Sequence, residues 1–143
     1  MHIWVTIRSF DLLISRGLIH LGRESMNTKS IPCFVMPKFE MFLKTNAPWN
    51  QLVELKNIKL VDISNGKEFE NFKIESILVP HRSEYTETVG FIVKGKSKSL
   101  LFIPDIDKFE EMKGEQIEDL ISRVDFALLD GTFFSNDELQ TNK

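Results

Sequence analysis

The chain has 143 residues, of which 42% are hydrophobic and 27% charged, with a formal net charge of -3. That is enough chain for one domain with a real core, and the composition is that of an ordinary globular protein. The balance lacks the dense Lys/Arg surface that neutralises nucleic-acid phosphates, and no apolar run approaches the roughly 20 residues that cross a bilayer. The start, Met1-His2-Ile3-Trp4, has no basic segment followed by an apolar leader core, so a cytoplasmic protein is expected.

In chain order, Ile3, Val5 and Ile7 alternate as in a short strand. Leu13, Ile14, Leu18 and Leu21 then recur at helical spacing over 10–23, interrupted by Gly17. The apolar run 31–36 reads as a buried strand and contains the single cysteine, Cys33, expected as an inert core thiol. Pro37 suits the first turn of a helix, because its missing N–H would be unpaired there anyway. That helix carries Phe39, Met41, Phe42 and Leu43, stops by Asn46, and gives way to a turn over 47–50.

The middle of the chain reads as β-structure. Ile58, Leu60 and Ile63 mark one strand, closed by Asn65-Gly66. Phe72, Ile74 and 77–79 mark the next, and 88–93 with 100–103 form a hairpin around a solvated turn carrying Lys94, Lys96 and Lys98. A helix is expected over 108–123, broken near Gly114, then a last strand over 126–129 and a polar tail over 135–143. Central strands flanked by helices favour a layered α/β (α+β) domain.

Three apolar runs stop abruptly at polar, potentially ligating residues: Val79-Pro80-His81-Arg82, Ile103-Pro104-Asp105 and Leu129-Asp130-Gly131. Strand ends hold side chains more rigidly than loops do, and His and Asp ligate zinc, manganese or iron. Each also has a plain reading: a hydrogen-bonded histidine, an Asp105 or Asp107 capping the next helix, an Asp-Gly turn.

The segments Gly17-Leu18-Ile19-His20-Leu21-Gly22-Arg23-Glu24, Asn46-Ala47-Pro48-Trp49, Val79-Pro80-His81-Arg82-Ser83-Glu84-Tyr85-Thr86-Glu87-Thr88-Val89-Gly90-Phe91, Phe102-Ile103-Pro104-Asp105-Ile106-Asp107 and Leu128-Leu129-Asp130-Gly131-Thr132-Phe133 resemble the coenzyme PQQ synthesis protein B-like branch of the metallo-β-lactamase superfamily. The resemblance runs in order over 17–134, leaving 1–16 atypical, and treats 1–143 as a single partial domain. It implies an incomplete αββα sandwich with a metal site at one edge of its two sheets. Within it, His81 and Asp105 match metal ligands, zinc foremost, with manganese or iron as alternatives. Arg82, Glu84, Tyr85 and Asp130 fall where residues supporting the site or touching a small-molecule substrate are expected, and a carboxylate such as Glu87 could orient the imidazole.

The departures are as informative. No HxHxDH-type motif occurs, and no histidine follows His81. The first strands of such a fold would precede Met1, and His2 is the one other candidate ligand near that end. The expectation is a metal-dependent, hydrolase-like protein with a degraded or incomplete site, or else a non-catalytic, partner-binding remnant. A partial sandwich would also expose strand edges, so self-association is expected.

Overall fold

Alternating burial sets the direction each early strand faces. A computed structural model describes residues 17–81, 86–112 and 116–131. The expected strand at 3–7, the first half of the helix over 10–23, His2, Arg82, Glu84, Tyr85, the break at Gly114 and the tail over 135–143 lie outside them. In β1 (Ile31–Val35), Cys33 and Val35 enter one buried cluster while Phe34 enters another, as a side-chain period of two requires. Helix α1 (Pro37–Thr45) follows at once, with proline in its first turn and Leu43 as its buried residue. It ends where the Asn46 backbone N–H and side-chain Nδ2 both donate to the Phe42 carbonyl.

The turn expected over 47–50 is shorter than the sequence suggested, because α2 (Trp49–Glu54) begins inside it. Trp49, Leu52 and Val53 fall at i, i+3 and i+4 and pack into the same cluster as Leu43. β2 (Ile58–Asp62) then returns parallel to β1, in register from Ile31 opposite Ile58 to Val35 opposite Asp62. A parallel pair needs such a crossover. Here the helices and the 17–21 segment cover one face of the pair, through Leu18, Leu21, Leu43 and Leu52.

At the Asn65-Gly66 turn, Gly66 has φ of +75°, and a Cβ there would lie 2.7 Å from the Ile74 carbonyl oxygen. Glycine is therefore the residue this turn accepts. The turn leads into β3 (Lys67–Glu68), β4 (Phe72–Leu78), β5 (Val89–Gly95) and β6 (Ser99–Ile103), which pair antiparallel in order. A crossover through a 3-10 turn (Phe109–Glu111) and α3 (Ile117–Ser122) brings β7 (Phe126–Leu129) parallel to β6. The helix expected over 108–123, broken near Gly114, is thus described as two short pieces on either side of residues 113–115. Asp125 anchors the start of β7: its carboxylate accepts from Lys98 Nζ at 2.6 Å and from Ser99 N and Oγ, each at 2.9 Å. The Lys98 ammonium, then the Ser99 donors, hold its pKa down from 3.8 to about 2.

Period-two alternation divides the five-stranded sheet. Ile74, Val89 and Phe91 meet Phe34 and Ile63 between the two sheets. Ile92, Leu101 and Ile103 turn the other way, onto Ile106, Met112 and Leu120 beneath α3. Gly90 sits on that second face, where a Cβ would come 2.7 Å from Ile103 Cγ1. The described residues form a mixed α/β structure in four layers: helices, a two-stranded sheet, a five-stranded sheet, and α3. Among the described residues the two-stranded sheet packs on β4 and β5, while Phe126 and Leu128 of β7 are 58% and 56% exposed. Among the described residues, no helix is long and apolar enough to cross a membrane.

Candidate functional site

β4 and β6 each run antiparallel to β5, and β7 runs parallel to β6. The C-terminal ends of β4, β6 and β7 therefore share one edge of the sheet, beside the start of β5. That edge is where the sequence places His81, Asp105 and Asp130. Two backbone bonds fix it: Val79 N–H donates to the Thr88 carbonyl at 3.1 Å, and Asp107 N–H to the Pro80 carbonyl at 2.9 Å.

The structure brings His81 and Asp105 together. His81 Nε2 lies 3.4 Å from Asp105 Oδ2, and its Nδ1 lies 2.7 Å from Asp107 Oδ1. A carboxylate accepts only, so Nδ1 carries the hydrogen toward Asp107, which leaves the other nitrogen facing Asp105. Asp130 is placed differently. Its Oδ2 accepts the Ile106 backbone N–H at 3.4 Å and ties the end of β7 to the loop after β6. Arg82, Glu84 and Tyr85 lie outside the described residues.

Glu87 does not reach the imidazole. Both of its carboxylate oxygens accept the Lys38 backbone N–H, at 3.0 and 3.1 Å, where the N-terminus of α1 has unpaired donors and a positive dipole end. Asp107 fills the orienting role instead. The signal was present as two aspartates, Asp105 and Asp107, two residues apart beyond an apolar strand end. In sequence either aspartate also suits a helix cap, and no local pattern shows which one a distant histidine meets.

The fit to a metal can be judged from these distances. Two ligands of one tetrahedral zinc, each about 2.0–2.2 Å from the ion, lie about 3.3–3.5 Å apart. The His81–Asp105 separation of 3.4 Å matches. The Asp107–His81 bond is the carboxylate–histidine arrangement that orients a ligating imidazole. So His81 and Asp105 fit as two ligands with Asp107 behind them. Among the described residues, no group of three or more His, Cys, Asp or Glu is placed to hold a metal, because Asp107 lies on the far nitrogen.

Beside this edge opens a cavity of about 740 Å³, whose wall includes Lys38, Pro80, His81, Glu87, Thr88, Asp107 and Glu111. That volume is in the range of small-molecule sites, about 300–1,000 Å³. Thr88 is 3% exposed, and its Oγ1 has no hydrogen-bond partner among the described residues. An orphaned buried hydroxyl costs about 1–3 kcal/mol.

A family profile described as "Beta-lactamase superfamily domain" matches residues 6–142. Among solved structures, the chain is similar to "The crystal structure of a possible metal-dependent hydrolase from Veillonella parvula DSM 2008", at 14% identity and a TM-score of 0.42. That similarity covers 66% of this chain and 36% of the other, so this chain spans little more than a third of that protein. No curated protein sequence matches the chain.

Proposed function

The chain belongs to the beta-lactamase superfamily domain family, whose members are typically metal-dependent, and from that membership we propose a metal-dependent, hydrolase-like domain akin to the PQQ synthesis protein B branch. The observation that carries this reading is His81 clasped between Asp107 at 2.7 Å and Asp105 at 3.4 Å. His81 and Asp105 would hold the metal. Zinc suits this mixed nitrogen and oxygen pair, and manganese or iron accept the same donors. A metal bound there supplies Lewis acidity to an oxygen of water or substrate. The chain's own residues do the positioning. Asp107 accepts the Nδ1 hydrogen and fixes the ring. The Asp107 N–H bond to Pro80 fixes Asp107 in turn. Asp130 holds the loop that carries Asp105 through the Ile106 N–H. The cavity would take a small-molecule substrate.

The VPHR and FIPDID blocks support the finer placement within the superfamily. A second reading, a non-catalytic domain that binds a partner, draws support from the lack of a third ligand among the described residues. Zinc titration of the metal-stripped chain, with His81→Ala as control, separates the two. Stoichiometric binding that the variant loses is the expected result. Binding no tighter than the variant's would leave the non-catalytic reading standing.

A further inference from the structure

We propose that Asn65 is a deamidation site that the folded turn holds closed, with Asp62 as a positioning residue. Asn65 is the asparagine that glycine follows in this chain, and it is exposed. Glycine lacks the side chain that would shield its nitrogen from a neighbouring amide. The Gly66 nitrogen can attack Asn65 Cγ: the N–Cγ bond forms, the Cγ–Nδ2 bond breaks, and ammonia leaves with the Gly66 proton. Water then opens the cyclic imide at either carbonyl, giving aspartate or isoaspartate. The turn lies beside the start of β4, away from the His81 end of that strand, so the inference is independent of the metal reading.

The brake is in the turn itself. Gly66 N–H donates to the Ile63 carbonyl at 2.9 Å, so the proton that must leave is held and the direction of the nitrogen is set. Asp62 fixes the turn from its other side. Its carboxylate accepts the Ser64 N–H at 2.8 Å and the Ser64 hydroxyl at 3.1 Å, the bond by which an aspartate steadies the backbone two residues on. Ile63 is buried and anchored twice, its N–H donating to the Val35 carbonyl at 3.1 Å and its carbonyl accepting from Ser76 Oγ at 2.9 Å. Attack on Asn65 therefore requires a local opening of the turn, and its rate reads how often that opening occurs. The two products differ in what they do to the sheet. Isoaspartate adds a carbon to the main chain before Gly66, where even a Cβ would lie 2.7 Å from the Ile74 carbonyl oxygen. The lengthened turn cannot keep Lys67 opposite Ile74 and Glu68 opposite Lys73, so β3 comes away from β4, whereas the aspartate product keeps it.

The test incubates the full chain and a synthetic peptide of residues 60–70 at mildly alkaline pH, and follows isoaspartate at Asn65 by peptide mapping and mass spectrometry. The peptide is expected to react about 10-fold faster than the folded chain, the worth of one good hydrogen bond. Asp62→Ala should speed the reaction in the folded chain about 5-fold. Asp62→Asn keeps an acceptor oxygen and should stay slow. Asn46, exposed on another element, is the internal control for global unfolding. Equal rates in chain and peptide would overturn the closed turn, and no isoaspartate in either would overturn the site. An Asp62→Ala chain that reacts like the parent would remove Asp62 from the account, and so would one that gains as much at Asn46 as at Asn65.

Discussion

The most consequential contact at the residue scale is the 2.7 Å bond between His81 Nδ1 and Asp107 Oδ1. It decides which nitrogen faces Asp105, and so whether the pair can share a ligand. Asp107→Asn should weaken zinc binding about 10–100-fold, the usual cost of losing the group that orients a ligating histidine. Because the contact is largely exposed, with the Asp107 side chain at 47%, Tm should barely move. Metal titration beside thermal unfolding checks both, and unchanged affinity would demote Asp107 to a surface partner. His81 and Asp105 were legible in the sequence because apolar strands stop dead at each. Glu87 and Asp107 were not separable that way. Both are carboxylates near the motif, and only the placing of the β4 and β6 ends at one side of the sheet decides that one meets a ring and the other a helix N-terminus.

At the scale of elements, Asp125 shows how a short edge strand is held. β7 is four residues long and exposed throughout, so its position depends on the bonds from Asp125 to Lys98 and Ser99. The folded-state pKa, about 2, lies below the unfolded value of 3.8. The stabilisation is therefore present above about pH 4 and is lost as pH falls toward 2. Asp125→Asn should be less stable than the parent at pH 6, with the gap closing by pH 2. Urea unfolding at several pH values reads this directly, and a gap independent of pH would remove the carboxylate from the account. The strands were the easiest elements to foresee, since Ile31–Val35 and Ser99–Ile103 are mostly apolar runs and Phe72–Ile74 alternates at period two, with turn residues between them. Helix α2 was harder. A six-residue helix offers less than two turns of pattern, and only the packing of Trp49, Leu52 and Val53 into the cluster around Leu18 and Leu43 tells it from a turn.

For the molecule as a whole, the unequal sheets matter most. Among the described residues two strands cover a sheet of five, and Phe126 and Leu128, level with Leu100 and Phe102 in the ladder, are exposed. Exposed apolar edge strands pair with other chains unless a charge guards them. The chain should self-associate at high concentration, and Leu128→Lys should suppress this in light scattering. An unchanged scattering slope would locate the contact elsewhere. The layer order was foreseeable only through the resemblance, because period-two patterns do not say which sheet covers which. A different consequence follows from the position of the histidine clasp. His81 follows β4, and Asp105 and Asp107 follow β6, with β5 running between them. The clasp joins the ends of two strands that do not pair with each other, across the strand between them. A ligand held there would tie β4 to β6 at that end of the sheet, in addition to the ladders that already hold β5.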